Sequence, residues 1–362
     1  MSMSEFIANT IRPEVRAMHA YPVAPPWTGV KLELMEDAHL DSRELTAALR
    51  EELGRRVADS AFNRYPDPSA PALKAKLREK LGIVARHDIL LGAGSDEIIN
   101  LVSAAIIAGG GAALSLEPSF AVFKNAAIAV GGRFVGVSLN ADFTLNLEAT
   151  LAAIAREQPK LIWVVFPNNP TGNSYPDAAI EKIVHAAPGL VVIDEAYEPF
   201  AKRSWMHRID EFPNLLIMRT LSKIGLAGVR LGYIFGAPEW VSEINKVRGP
   251  FNVGVLQQVA AEVLLDHYDE LKNHATLMIE ERERLLVELA KLPGVTAFPS
   301  NANFVLARFP DALSVFEALK ARGILVRNLS AMHPLMANTL RISVGTYEQM
   351  GQLYVALRAI IL

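Results

Sequence analysis

The sequence contains no cysteine. This absence excludes disulfide bonds, thiolate metal ligands and thiol nucleophiles, and it is typical of a protein from a reducing compartment. Charge of one sign is not in excess either, with 36 Lys and Arg against 39 Asp and Glu, so no basic surface for nucleic acid or an anionic membrane is expected. The most apolar stretch, residues 101–114, is interrupted by glycines and is too short to span a bilayer.

The remaining composition is that of a globular protein. Hydrophobic residues make up 51% of the 362 positions, which is enough apolar material for two lobes or one large α/β domain. Residues 1–16 mix charged and apolar side chains and lack the apolar core of a secretory signal. We therefore expect a cytoplasmic protein with no nucleic-acid or membrane partner and no metal site.

Short apolar runs alternate with segments of helical spacing, such as residues 97–108 and 177–187. Most of the runs lack the strict alternation of a half-exposed strand, which is typical of strands buried on both faces. Repeated alternation of strand and helix predicts an α/β fold with a mostly parallel sheet flanked by helices. The predicted strands are residues 88–91, 112–116, 133–138, 161–166, 190–193, 215–219 and 231–235.

The sequence changes in character after Gly254. Residues 256–292 have the composition of a long helix, and a break at Pro293-Gly294 precedes predicted strands at 303–307 and 340–344. The first forty residues, with prolines at 22, 25 and 26, are typical of an extended arm. These features predict an N-terminal arm over 1–40, a large domain over 41–254, and a long connecting helix with a smaller C-terminal α/β domain over 255–362.

Two glycine-containing turns follow predicted strands. The first reads LGAGSDE over residues 91–97, where small residues and a helix start can bind an anion, although Ser95 or Asp96 could equally be a plain helix cap. The second reads FPNNPTG over residues 166–172. It is an ordinary turn by composition, yet it lies beyond a strand's carboxyl end, where Asn169 could offer its amide to a ligand.

Two charged residues follow buried strands. Asp194 ends an apolar run, where a carboxylate must be solvated, paired or functional; it could hold a pyridine nitrogen protonated, or bind a metal or a ribose. Lys223 lies in the sequence TLSKIGLAGVRLGY, among small and hydroxyl residues. Lysine forms Schiff bases when its pKa is lowered, and nearby Arg230 favours that lowering and could bind a phosphate together with Ser222.

These four motifs, in this order, resemble those of the fold-type I enzymes that depend on pyridoxal 5′-phosphate (PLP), the aspartate aminotransferase superfamily. Within it the chain is most similar to histidinol-phosphate aminotransferases, over residues 64–345. One motif alone would be weak evidence, whereas all four at this spacing are specific. The resemblance implies a large PLP-binding domain, a small C-terminal domain and an aminotransferase reaction.

The resemblance also implies a role for each matching residue. It implies catalysis by Lys223, which binds PLP covalently, by Asp194, the partner of the ring nitrogen, and by Tyr197, a ligand of the ring hydroxyl. Tyr65 matches a tyrosine that reaches the cofactor phosphate from the partner subunit, which implies a homodimer. The expected cofactor-binding residues are Ser95, Asp96, Phe120, Asn169, Asp194, Tyr197, Ser222, Lys223, Arg230 and, across the dimer, Tyr65.

The expected substrates are histidinol phosphate as the amino donor and 2-oxoglutarate as the acceptor, in histidine biosynthesis. Arg341 matches the arginine that clamps the substrate's α-carboxylate. A phosphorylated donor needs cations beyond those that bind the cofactor phosphate; Arg341 and Arg327 are the candidates, with Tyr21 and Asn169 adding hydrogen bonds. The alternatives are an aromatic amino-acid aminotransferase and a threonine-phosphate decarboxylase-like lyase. A PLP-binding regulator is disfavoured, because residues 1–40 are too short and proline-rich for a helix-turn-helix domain.

Three segments depart from the family pattern. The family's Ser-Lys-Ala-Phe-Gly-Leu is one residue shorter here, as Lys223 runs into Ile224-Gly225-Leu226. The N-terminal pattern Ala-Asn-Glu-Asn-Pro, which borders the substrate pocket, reads Leu-Met-Glu-Asp-Ala over residues 34–38. Residues 328–334 receive no assignment.

Overall fold

The computed structural model describes residues 2–20, 26–41 and 43–362. The strands are β1 Val30–Lys31, β2 Asp88–Gly92, β3 Ala112–Glu117, β4 Arg133–Ser138, β5 Leu161–Val165, β6 Leu190–Asp194, β7 Leu215–Thr220, β8 Gly232–Gly236, β9 Thr296–Ala297, β10 Phe304–Arg308, β11 Ile324–Leu325, β12 Arg327–Asn328 and β13 Thr339–Ser343. The α-helices are α1 Met3–Thr10, α2 Pro13–Arg16, α3 Arg43–Ala58, α4 Pro71–Leu81, α5 Ser95–Ile107, α6 Val122–Ala129, α7 Leu147–Glu157, α8 Asp177–Ala186, α9 Glu198–Ala201, α10 Pro238–Asn245, α11 Val255–Asp266, α12 Tyr268–Ala290, α13 Ala312–Ala321 and α14 Tyr347–Ile361.

A seven-stranded sheet forms the centre of the large lobe, within the described ranges, in the order β2-β8-β7-β6-β5-β3-β4. Neighbouring strands are parallel except at β8, which runs antiparallel to both β2 and β7. All residues of β5 are buried: Trp163 and Val165 belong to the apolar core on one face, and Ile162 and Val164 to the core on the other. The predicted mostly parallel sheet, buried on both faces, is therefore confirmed.

The parallel strands β5, β6 and β7 are neighbours, so their carboxyl ends meet at one edge of the sheet. Asn169 follows β5, Asp194 is the last residue of β6, and Lys223 follows β7 in a short 3-10 turn. Ligands of open α/β sheets bind at this edge. The topology thus brings together three side chains that are far apart in the sequence.

The small lobe contains a four-stranded antiparallel sheet, β12-β13-β10-β9, among the described residues. Its apolar core includes Leu285 of α12, Leu319 of α13 and Leu353 of α14. Strand β1, from the N-terminal segment, pairs in parallel with β11. The N-terminal segment is therefore part of the small lobe's structure at this point.

The structure differs from the expected elements in two places. The predicted single long helix is two helices, α11 and α12, which meet at His267. The predicted extended arm contains helices α1 and α2; Ser2 and Glu5 form a capping box at the start of α1, and Pro13 is the first residue of α2. Domain boundaries at residues 40 and 254 stay a prediction. Among the described residues, no helix has the length and apolarity needed to cross a membrane.

Candidate active site

A cavity of about 420 Å³ opens at the carboxyl ends of β5, β6 and β7. It lies where the large lobe faces β13 of the small lobe, and Leu34 and Met35 of the N-terminal segment also line it, as the family pattern for that segment implies. The structure thereby brings most of the predicted site residues to one place. Those that line the cavity are Ser95, Asp96, Phe120, Asn169, Asp194, Tyr197, Ser222, Lys223, Arg230 and Arg341.

Lys223 lies half-buried at the cavity. Its Nζ donates a hydrogen bond to the Leu34 carbonyl oxygen at 3.4 Å and lies 5.9 Å from the centre of the Tyr197 ring. Burial, together with the positive charge of Arg341, lowers the pKa of the Lys223 ammonium from 10.5 to about 8. A substantial fraction of the amine is therefore neutral near physiological pH, as a nucleophile requires.

Asp194 presents a buried carboxyl group to the same cavity. It is 3% exposed, and its Oδ1 accepts a hydrogen bond from the Ala196 backbone N–H at 3.0 Å. Burial raises the pKa of Asp194 to about 7, with Asp96 and Glu195 adding to the increase. An ionised carboxylate here favours a cationic ligand, such as a protonated ring nitrogen, since that ligand would offset the cost of burying the charge.

A buried ion pair lies behind Asp194. Arg219, at 4% exposure, donates to Glu195 Oε2 at 2.8 Å and to Ser204 Oγ at 2.8 Å. The other carboxylate oxygen of Glu195 accepts from the backbone N–H of Trp205 at 2.5 Å. These bonds fix the loop that follows β6, and they do so without contact with the cavity.

An anion cup lies at the start of α5. Arg230 Nη2 is 3.2 Å from Asp96 Oδ2, and Arg230 Nη1 donates to Ser222 Oγ at 3.5 Å. Gly94 adopts φ +86°, and a Cβ added there would lie 2.6 Å from Arg230 Nη2. Only glycine therefore allows the guanidinium to approach the first N–H groups of α5, which are suited to a phosphate.

Arg341 connects the two lobes. Its Nη1 donates to Asn169 Oδ1 at 2.6 Å, and its Nη2 donates to the Glu33 carbonyl oxygen at 2.8 Å. Arg341 is 7% exposed, and its guanidinium lies 5.4 Å from the centre of the Phe304 ring. A buried, oriented guanidinium of this kind suits a carboxylate or phosphate.

Two predicted residues lie outside the cavity lining, and a third is not described. Arg327 is not among the described residues that line the cavity, but it is the strand partner of Arg341 in the β12–β13 register. It begins β12 and does not end the preceding strand. Tyr65 is 79% exposed and stacks on Phe251, with ring centres 4.3 Å apart. Tyr21 lies outside the described residues.

Some residues at the site received no role from the sequence. Ala196 and Thr220 line the cavity and lie inside motifs that the sequence singled out. Val122 and Val165 also line it, and nothing distinguishes them from core valines in the sequence. The structural role of Arg219 has a visible signal, namely a charged residue inside the apolar strand β7.

Comparison with known proteins identifies the family. The model of the family "Aminotransferase class I and II" matches residues 33–357. The chain belongs to this family. Membership confirms the expected fold class and the expected aminotransferase reaction.

Curated relatives give a more specific likeness. The chain is 48% identical over 356 residues to histidinol-phosphate aminotransferase 1 of Ralstonia nicotianae, covering 97% of this chain and 94% of that protein. It is also 48% identical over 358 residues to the histidinol-phosphate aminotransferase of Methylibium petroleiphilum, covering 98% and 95%. The likeness therefore spans both lobes.

A solved structure gives a matching fold. Histidinol-phosphate aminotransferase from Sinorhizobium meliloti, solved in complex with pyridoxal-5′-phosphate, superimposes with a TM-score of 0.83 at 26% sequence identity. The match covers 97% of each chain.

Proposed function

We propose that this chain is a histidinol-phosphate aminotransferase that binds PLP on Lys223 and passes the amino group to 2-oxoglutarate. The observation that carries the proposal is the juxtaposition, in one cavity, of a lysine with a lowered pKa, a buried carboxyl group, an anion cup and a buried arginine. The two curated relatives described above are both named histidinol-phosphate aminotransferases, and the likeness to each of them covers both lobes.

The residues of the cavity fit PLP. The cup of Ser95, Asp96, Ser222 and Arg230 holds the phosphate, and Phe120 stacks on the ring. The amide oxygen of Asn169 accepts a hydrogen bond from Arg341 at 2.6 Å. Its NH₂ group can therefore donate to the ring oxygen, as can the Tyr197 hydroxyl. Asp194 pairs with the ring nitrogen. Bound PLP supplies an electron sink for the substrate's α-carbon.

Each catalytic side chain then has a defined task. Lys223 would bind the cofactor covalently at rest; once its amine is free, Nζ would act as the general base and accept the proton from the donor's α-carbon. Its tether beside that carbon makes the transfer effectively intramolecular. Asp194 keeps the ring nitrogen protonated, and Tyr197 orients the ring through its hydroxyl group.

The phosphate of the donor binds Arg341 and Arg327. Their positions support this assignment, because the two residues are partners across β12 and β13 and both lie near Glu33. Asn169 already orients Arg341, and Tyr21 is assigned a hydrogen bond from the family resemblance alone. Paired guanidinium groups suit a phosphate, whereas an ordinary amino acid has one carboxylate to offer.

We also infer a cytoplasmic homodimer in which Tyr65 completes the partner's cup. Tyr65 is 79% exposed and stacks on Phe251, which is itself 41% exposed. Phe62 and Leu256 are further exposed apolar residues, at 60% and 50%. Large exposed apolar side chains of this kind are typical of a protein interface.

Trapping and substrate screening test the proposal. Borohydride reduction of the PLP-loaded protein should leave a pyridoxyl adduct on the Lys223 peptide, and Lys223→Ala should lose both adduct and turnover, whereas the exposed control Lys246→Ala keeps them. Histidinol phosphate, phenylalanine and threonine phosphate should then be compared, with glutamate and carbon dioxide both measured.

Glutamate formed from histidinol phosphate and 2-oxoglutarate is the expected result. An adduct on another lysine would refute the site. Preference for phenylalanine would make the chain an aromatic aminotransferase, and release of carbon dioxide from threonine phosphate would make it a lyase.

A further inference from the structure

Residues 33–37, here called the roof, lie over the catalytic lysine. The Leu34 carbonyl accepts from Lys223 Nζ at 3.4 Å. The next residue is held by the small lobe on both sides of its peptide: Met35 N donates to Ser343 Oγ at 2.9 Å, and Asn303 Nδ2 donates to the Met35 carbonyl at 3.0 Å. The position of the roof therefore sets where Lys223 finds a hydrogen-bond acceptor.

The roof ends at a hydrogen bond between Asp37 and His274. Asp37 has a side chain only 1% exposed, and its Oδ2 lies 3.0 Å from Nδ1 of His274 on helix α12. Its Oδ1 accepts from the His39 backbone N–H at 2.9 Å. A carboxylate only accepts, so Nδ1 of His274 is the donor. Both oxygens of Asp37 are thus engaged.

The loop that carries Lys223 packs against the same carboxylate. Gly225, two residues beyond the lysine, has φ +93°, and a Cβ added there would lie 3.1 Å from Asp37 Oδ2 and 3.2 Å from Leu40 Cδ2. This is the loop that is one residue shorter than the family pattern. Displacement of Asp37 would therefore change the position of Lys223 in two ways, by moving the Leu34 carbonyl and by moving the loop that carries the lysine.

The sequence of the roof gives a reason for the pair. In the family pattern Ala-Asn-Glu-Asn-Pro, the last residue is a proline that fixes the backbone. This chain has Ala38 at that position and Asp37 in place of the preceding asparagine. The hydrogen bond between Asp37 and His274 of α12 can restrain the backbone here, as the proline does in the family pattern.

We propose that Asp37 and His274 are positioning residues that hold the roof and the shortened loop so that Lys223 can react with PLP. The inference rests on the proposed role of Lys223 as the PLP lysine. It assigns to Asp37 and His274 no contact with the cofactor or the substrate.

Covalent capture of PLP tests this inference without any amino donor. Cofactor-free protein is mixed with PLP, and the absorbance of the lysine–PLP linkage is followed in time. Asp37→Leu and His274→Leu should each slow capture by about tenfold, because small misplacements of a reacting group are costly. Non-covalent PLP affinity, measured in a Lys223→Ala background, should change less than about twofold, because the phosphate cup is untouched.

Conservative variants separate positioning from folding. The amide nitrogen of His274→Asn replaces Nδ1 and should restore capture to within about threefold of wild type, whereas His274→Gln places its amide elsewhere and should not. The double variant Asp37→Leu/His274→Leu should be no slower than either single variant, since the two residues act as one unit. His267→Leu is the matched control: its Nδ1 pairs with Glu270 at 2.9 Å at the start of the same helix, away from the roof.

Normal capture in both leucine variants would overturn the inference, as would additive effects in the double variant or equal slowing in the His267→Leu control. Wild-type protein that captures no PLP on Lys223 would instead refute the proposed function. The two failures are therefore distinguishable.

Discussion

Asp194 is expected to have opposite effects on the cofactor-free and the PLP-loaded protein. Its pKa rises from 3.8 to about 7, mainly by burial. A folded-state pKa above the unfolded value means that stability is lost as the pH rises towards the folded pKa. Asp194→Asn should therefore stabilise the cofactor-free protein, and the gain should grow between the unfolded pKa of 3.8 and the folded pKa of about 7, by at most roughly 1.4 kcal/mol per pH unit, and then level off. Urea unfolding at several pH values measures it.

The PLP-loaded protein should respond in the opposite direction. Without the carboxylate the ring nitrogen is not held protonated, so turnover of Asp194→Asn should fall by about a hundredfold or more. Asp142→Asn is the control for the stability measurement. Hydrogen bonds from Thr144 lower the pKa of Asp142, so this substitution should destabilise the protein and not stabilise it. Near-normal turnover at full PLP occupancy would remove the role of Asp194.

Arg327 is expected to discriminate between substrates. Arg327→Ala should lower kcat/KM for histidinol phosphate by about tenfold to a hundredfold, the value of one charge-assisted hydrogen bond of roughly 1.5–3 kcal/mol. Phenylalanine has no phosphate and should lose much less. Steady-state kinetics with both donors measure the difference, and Arg322→Ala, an exposed arginine of the same lobe, is the control. Equal losses for both donors would make Arg327 a structural residue.

At the scale of elements, the close contact between β8 and the start of α5 shapes the anion cup. A Cβ on Gly232 would lie 2.5 Å from the backbone of both Gly94 and Ser95. Gly232→Ala should push the first turn of α5 away and weaken PLP binding by about tenfold, the value of one lost hydrogen bond to the phosphate. Gly228→Ala is the matched control, since its Cβ would meet no atom within 4 Å.

Equilibrium binding of PLP measures this change, and thermal unfolding verifies that the variants fold. Equal affinity of Gly232→Ala and Gly228→Ala would show that the contact does not shape the cup.

The strands of the large lobe could be predicted from the sequence nearly residue by residue. The strand predicted at residues 133–138 is observed with the same bounds; the other strands differ by one residue, at one end or, for β8, at both ends. Runs such as β5 are short, apolar on both faces and rich in β-branched residues, which is the pattern of a buried strand. The break at His267 could not be predicted, because the residues around it have helical composition. Helices α1 and α2 were missed because the nearby prolines favoured an extended arm.

Most of the residues that line the cavity could be predicted, but the contacts between them could not. Lys223 and Asp194 have unusual positions after apolar strands, which the sequence shows directly. The hydrogen bond between Asn169 and Arg341 joins residues that are 172 positions apart, and no local pattern encodes such a contact. The pair of Asp37 and His274 is another such contact, at a separation of 237 positions.

At the scale of the whole molecule, Tyr65 is expected to act across the dimer. Inactive Lys223→Ala is mixed with Tyr65→Ala under conditions that exchange subunits. Each hybrid dimer then has one site with both native residues, so activity should recover to about a quarter of the wild-type value for random mixing. Activity after mixing measures this recovery, and unmixed samples of each variant are the controls. If ultracentrifugation showed a monomer and that monomer were fully active, the proposed dimer would be contradicted.

The hydrogen bond from Arg341 to Asn169 has a consequence for how tightly the proposed enzyme would hold its cofactor. If the NH₂ group of Asn169 contacts the cofactor while its oxygen contacts Arg341, binding of the cofactor and of the donor's anion is coupled. Linked equilibria are reciprocal: the factor by which bound cofactor raises the affinity for the donor's anion is the factor by which that anion raises the affinity for the cofactor. After dilution, the enzyme would thus retain more PLP in the presence of its substrate than in its absence.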